Sequence, residues 1–271
     1  MKTRKIDAPN GALVVHESAG RGPPVVLIHG NSSSSRVFSR QLDGPLGQRF
    51  RLIAVDLPGH GASDDAKDPS AYSLPGHARA VRAVLDALGI DEAHFVGWSL
   101  GGHVALEMAP DLRNPRGFVI FGTPPLTSGE AMSEAFFRNP AMKVTFQERI
   151  DGLEASAYVA AFFRPGFADI PPFFLDDVLR TDGRARSNLG PASALASSST
   201  SARWCAIFGP RSPCCTAIKS SWSTDAISIR WRCRPCGVTA VQMIPDAGHT
   251  PQWETPKVFG ALIEAFVNET V

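Results

Sequence analysis

Gly97-Trp98-Ser99-Leu100-Gly101 is the stretch on which the reading of this chain turns. It stands between Ala93-His94-Phe95-Val96, an apolar run of buried-strand character, and a helical stretch at 100–108. A Gly-x-Ser-x-Gly run joining a strand to a helix is a nucleophile elbow: a sharp, strained turn that lifts one hydroxyl to the tip of the strand. Small Gly101 and Gly102 let the following helix pack close to the sheet. Any αβ unit can place a Gly/Ser turn between strand and helix, but both flanks that the chemistry needs are present here. Ser99 is therefore the candidate nucleophile.

Outward from the elbow, the chain alternates. Strands are expected at 12–17, 25–28, 52–55 and 118–121, and the two central runs, Val25-Val26-Leu27-Ile28 and Leu52-Ile53-Ala54-Val55, are apolar throughout, as strands covered on both faces must be. Helices are expected at 37–48 and at 77–88, the latter with Val81, Val84, Leu85 and Leu88 on one stripe. Strand 238–244 and helix 251–267 close the chain. This order predicts an α/β fold, a mostly parallel doubly wound sheet with functional loops at the carboxyl ends of its strands. Between 126 and 191 the alternation gives way to aromatic-rich helical segments at 155–163 and 172–179, which read as a helical cap insertion. The expected division is a core of 1–125 and 192–271 with a cap of 126–191, placed to exclude water and shape an apolar pocket.

The 271 residues, 44% hydrophobic, suit one large α/β domain. Net charge is +1 with basic residues scattered, so nothing favours nucleic acid or an anionic membrane as partner, and a small uncharged or amphiphilic substrate fits better. The polar opening of the chain, with no apolar core behind Met1-Lys2-Thr3-Arg4-Lys5, and the lack of a spanning run give a cytoplasmic expectation. All five cysteines lie between Cys205 and Cys236, which argues against a fold-wide disulfide framework. Cys214-Cys215 with Cys233-x-x-Cys236 has the spacing of a zinc knuckle, but no phosphate loop and no His-Glu-x-x-His run accompanies it, and no metal or cofactor is expected.

A serine hydroxyl is a weak nucleophile until a base takes its proton and donors hold the oxyanion formed on attack. His249, in Asp246-Ala247-Gly248-His249-Thr250-Pro251, follows the last expected strand, where the order nucleophile, acid, base puts the histidine. His29-Gly30-Asn31 follows a central strand and suits the loop that supplies one oxyanion N–H, from Asn31 or its neighbour; Leu100 supplies the other. Trp98 beside the nucleophile is a candidate for substrate contact. His29, His60 and His103 read as builders of turns and hydrogen bonds beneath the site.

Taken together, the motifs resemble the α/β-hydrolase superfamily, and within it the N-acyl-homoserine lactonases of the AidH type. The resemblance rests on His29 to Ser34, the Asp56-Leu57-Pro58-Gly59-His60-Gly61 turn, Tyr72-Ser73, Gly97 to His103, Gly122-Thr123-Pro124-Pro125, Arg180-Thr181-Asp182-Gly183-Arg184-Ala185-Arg186 and Ala247-Gly248-His249. It implies a cofactor-free serine hydrolase of carboxylic esters or lactones, with an acyl-homoserine lactone as substrate. By the same resemblance Ser99 is the nucleophile, His249 the base, Asn31 an oxyanion or ring contact, and Tyr158 in the cap a contact to the lactone. A general short-chain carboxylesterase would use the same machinery. A ligand-binding module on this scaffold is the non-enzyme alternative, because the third triad member departs from the pattern. Where the group carries an acid beyond an Ala-x-x-x-Gly strand, here expected at Ala206-Ile207-Phe208-Gly209, this chain has Ser212; Asp225 and Glu130 are the available substitutes. The segment 192–237 also breaks in composition: it holds every cysteine, three of five tryptophans and one acid, Asp225, with no strand or helix period after Phe208. It reads as a stretch translated in a shifted frame, which would have removed the acid.

Overall fold

A computed structural model describes residues 1–123, 139–189, 214–220 and 241–270. Among them an eight-stranded sheet runs through β1 (Lys2–Ile6), β2 (Leu13–Glu17), β3 (Gly22–Ile28), β4 (Phe50–Val55), β5 (Glu92–Trp98), β6 (Asn114–Phe121), β7 (Cys214–Ser220) and β8 (Val241–Ile244). Its order is β1-β2-β4-β3-β5-β6-β7-β8; β3 to β8 are parallel, and β1 and β2 form an antiparallel edge. The expected mostly parallel α/β sheet is therefore the observed one.

Period-two alternation explains why the central strands read as unbroken apolar runs. Val26, Ile28, Ile53, Val55, Phe95 and Phe118 face one layer, built from α3 (Leu74–Ala87) and α4 (Leu100–Met108). Val25, Leu27, Leu52, Ala54, Val96, Val119 and Phe121 face the other, with Phe259, Ile263 and Phe266 of the closing helix. Both faces are covered, so each side chain is removed from water at about 1.5–3 kcal/mol apiece. Residues 139–189, in the segment expected as a cap, join this second layer through Tyr158, Val159, Phe162, Phe163, Phe174 and Val178. Its helices run over Gly152–Ala160, Phe173–Arg180 and Gly183–Ser187. Among the described residues no helix is long and apolar enough to cross a membrane.

Several expected boundaries move, each for a local reason. The helix expected at 37–48 is two short ones, α1 (Ser39–Leu42) and α2 (Pro45–Arg49), because Gly44-Pro45 interrupts it. The closing helix breaks at Thr255, which precedes Pro256 and holds φ −131° and ψ 57°, leaving Pro251–Glu254 and Pro256–Glu269. The helix expected from 77 starts earlier, at Leu74, because the Ser73 side chain caps it by accepting from Gly76 N. Strand β7, paired in parallel with β6 and β8, is Cys214–Ser220, in the stretch read as without period; Ala206 to Gly209 lie outside the described residues.

Candidate active site

The elbow takes the strained form that its sequence requires. Ser99 follows β5 at φ 52° and ψ −115°, a left-handed conformation that side chains rarely adopt, and α4 begins at the next residue. Glycines permit the close approaches around it. A Cβ on Gly97 would lie 2.5 Å from Gly101 O, and one on Gly101 would lie 2.1 Å from Ile28 O. The turn is held by Ser99 N donating to Phe121 O at 2.9 Å and by Thr123 Oγ1 donating to Ser99 O at 2.8 Å.

The loop after β3 lies against the elbow: a Cβ on Gly30 would stand 3.1 Å from Ser99 Cβ. That contact sets the Gly30-Asn31 loop beside the serine. Neither Asn31 N–H nor Leu100 N–H has an acceptor among the described residues, the state expected of donors kept for an oxyanion. The Asn31 side chain is turned away from this role, its Nδ2 donating to Thr145 O of the cap at 2.9 Å. The next residue, Ser32, has φ 54°, so this loop too is held in a strained turn.

His249 follows β8 and lies against the residue that follows β6. A Cβ on Gly122 would be 2.5 Å from its Cε1 and 2.8 Å from its Nδ1, so the residue joining β6 to Thr123 touches the imidazole. Its backbone is fixed at both ends, N donating to Phe162 O at 2.7 Å and O accepting from Trp98 Nε1 at 2.8 Å. The ring stands 5.5 Å from the Trp98 ring and 6.1 Å from Phe162. Burial against these aromatics disfavours the imidazolium and lowers its pKa to about 4. Among the described residues no carboxylate hydrogen-bonds the ring. Ser212, Asp225 and Glu130, the positions considered for the acid, lie outside the described residues.

Trp98 and Tyr158 are buried, at 1% and 2% exposure, and so present almost no surface to a ligand. Trp98 instead backs the histidine, and Tyr158 stacks edgewise on Phe162 at 4.7 Å with its hydroxyl 3.3 Å from Thr145 Oγ1. Burial raises the Tyr158 phenol to about 12, so it remains neutral and accepts from Thr145 Oγ1. His29 and His60 build turns: His29 Nε2 accepts from Leu57 N at 3.0 Å, and His60 Nδ1 lies 2.8 Å from Pro58 O.

Two buried carboxylates near these loops carry no signal in the sequence. Asp177, on the cap helix Phe173–Arg180, accepts from Ser34 Oγ at 2.6 Å and pairs with Arg36, and burial raises its pKa. Glu254 holds the loop of His249 through Gly248 N. Asp177 and Glu254 also join residues far apart in the chain, and no local periodicity marks such a contact. Among the described residues no group of histidine, cysteine or carboxylate side chains is placed to hold a metal ion. The side chains of Cys214, Cys215, Cys233 and Cys236 lie outside the described residues.

Comparison with known proteins agrees with this architecture. A mutant of N-acyl homoserine lactonase AidH, solved in complex with N-hexanoyl homoserine, matches with a TM-score of 0.82 and 30% identity, over 100% of this chain and 97% of that one. A thermophilic esterase from Thermogutta terrifontis, at 21% identity and a TM-score of 0.72 over 100% and 99% of the two chains, shares the fold. A pimeloyl-[acyl-carrier protein] methyl ester esterase of Methylococcus capsulatus is 46% identical over 93 residues, 34% of each chain. The first curated relatives are matched over 26% to 34% of their own length. The model of the alpha/beta hydrolase family matches residues 25–262. This chain belongs to the alpha/beta hydrolase family.

Proposed function

We propose that the protein is a cofactor-free serine hydrolase of carboxylic esters or lactones, and that its substrate is an N-acyl-homoserine lactone. One observation carries the chemistry: Ser99 is held at φ 52° on the tip of β5, the Asn31 and Leu100 N–H groups have no acceptor among the described residues, and the imidazole of His249 lies against Gly122. In this reading the Ser99 hydroxyl attacks the substrate carbonyl as its proton passes to His249. The Asn31 and Leu100 amides hold the oxyanion. Collapse of the tetrahedral species breaks the ring C–O bond, His249 returns the proton to the leaving oxygen, and water completes hydrolysis by the same path in reverse. The likeness to a lactonase along the whole chain supports the lactone as substrate. Residues 126–191 serve as the cap over this site, with Trp98 and Tyr158 packed behind its wall. Ring opening brings no macromolecular partner and no membrane into the reaction. A carboxylic ester substrate is the second reading, favoured by the match to a methyl ester esterase.

The two substrate readings separate when lactone ring opening, followed by the fall in pH, is measured beside p-nitrophenyl ester hydrolysis. Ser99→Ala and His249→Ala are each expected to lower turnover by at least about three orders of magnitude, since nucleophile and base act as a unit. Retention of a tenth of the activity by Ser99→Ala on every substrate would remove the assignment.

A further inference from the structure

The histidine loop is clasped from below by a side chain that the proposed chemistry does not use. Glu254 ends the short helix Pro251–Glu254, with its N–H donating to Thr250 O at 2.9 Å, and its side chain folds back over that helix's start. Its Oε1 accepts from Gly248 N at 2.8 Å and lies 3.0 Å from Thr250 Oγ1. Its Oε2 accepts from Arg164 N at 3.0 Å, with Arg164 Nε at 4.0 Å. The carboxylate side chain has no exposed surface. Such burial is costly and is tolerated here because every hydrogen bond to the group is charge-assisted. Both neighbours of His249 are thus tied to one anion, which is tied in turn to the cap. The fit leaves no slack: a Cβ on Gly248 would lie 2.4 Å from Arg164 N and 2.6 Å from Phe163 C. Among the described residues no hydrogen bond joins Glu254 to the imidazole, so Glu254 is not placed as the acid on the ring.

We propose that Glu254 is a positioning residue for His249, clasping the Gly248-His249-Thr250 loop to the 162–164 turn of the cap so that the imidazole faces Ser99. The proposal rests on His249 being the general base. With residues 248 and 250 fixed, and with His249 N and O held by Phe162 O and Trp98 Nε1, only side-chain torsions remain to move the ring. Loss of the clasp frees the loop, and a displacement of about 1 Å at a reacting group costs about a hundredfold in turnover.

The test is kcat per active site, with sites counted by fluorophosphonate titration of Ser99, so that misfolded protein does not enter the value. Glu254→Ala is expected to lower kcat about a hundredfold with KM within about twofold of wild type. Glu254→Gln keeps one acceptor oxygen for Gly248 and Thr250 and is expected to recover about a tenth of wild-type kcat. A purely structural role would lower the melting temperature and the number of titratable sites while leaving kcat per site unchanged, and that result overturns the proposal. If Glu254→Ala does not fold, Glu254→Gln and Thr250→Val decide, and unchanged kcat per site in both overturns it. His249→Ala is measured alongside. Full activity there removes the base assignment and the proposal with it, whereas an inactive His249→Ala beside fully active Glu254 variants removes the proposal alone.

Discussion

Gly122→Ala offers a direct reading of how closely the imidazole is held, because a second glycine separates its two costs. Gly122 has φ +60°, and Gly89, in a surface turn after α3, has φ +63°. Alanine at either position costs about 1–2 kcal/mol of backbone strain. Around Gly89 a Cβ meets nothing within 4 Å, so Gly89→Ala carries that strain and nothing else. At Gly122 the same carbon falls 2.5 Å from His249 Cε1, where ordinary contact needs about 3.5 Å or more. The ring must therefore withdraw by about 1 Å. Its backbone cannot follow, since Phe162 O and Trp98 Nε1 hold it, so the movement falls on the side-chain torsions and spoils the line to Ser99. A shift of that size is expected to cost about a hundredfold in kcat/KM, while the melting temperature falls by the same few degrees in both variants. Ester and lactone turnover, normalised to titrated Ser99, and thermal unfolding are the assays. Activity of Gly122→Ala within about threefold of Gly89→Ala would refute the placement of His249 against Gly122.

Ser99→Gly should abolish turnover yet raise the melting temperature, because glycine relieves the strain at φ 52°; net of its greater freedom when unfolded, the gain is about 1 kcal/mol, read by differential scanning calorimetry. Acid should destabilise the fold through its buried histidines. Burial lowers His77 to about 3 and His103 to about 4, and pushes His60 well down, from an ordinary value of 6.5. The unfolded chain therefore binds protons that the fold refuses, so the stabilisation is complete above about pH 6.5 and is lost as pH falls towards about 4. Each such group contributes a slope of about 1.4 kcal/mol per pH unit in that window. His77→Leu removes one of them, a ring whose two nitrogens have no partner among the described residues, and urea midpoints between pH 4 and 7 should show a slope smaller by about one proton.

The parallel sheet was legible because its strands are covered on both faces and so appear as unbroken apolar runs bounded by glycine, as at Val25 to Ile28. The elbow was legible because its strain demands Gly97 and Gly101 at fixed spacing from Ser99. Strand β1 escaped the reading since Lys2-Thr3-Arg4-Lys5 lies on an exposed edge and carries no apolar face. Strand β7 escaped because Cys214-Cys215-Thr216 offers neither a β-branched run nor a clean alternation, and its place is settled by pairing with β6 and β8.

The ties around the site were illegible for a different reason. Ser34 and Asp177 are 143 positions apart, Asn31 and Thr145 are 114 apart, and Arg164 and Glu254 are 90 apart. No periodicity links such pairs, and each residue alone reads as a polar group in a loop or on a helix face. Folding gives them a common direction. Thr145, Phe162, Arg164 and Asp177 are all cap residues, and their partners are Asn31, His249, Glu254 and Ser34, in or beside the loop of the proposed oxyanion donor and the loop of the proposed base. A segment joined to both loops by these hydrogen bonds cannot swing away without releasing them, and the two buried ties, Asn31 to Thr145 and Ser34 to Asp177, would each leave a buried polar group unpaired at about 1–3 kcal/mol. That cost favours a segment 139–189 that holds its place on the two loops. On this argument the proposed cap sets the geometry of the proposed oxyanion donor and base from one side, as the sheet sets that of Ser99 from the other.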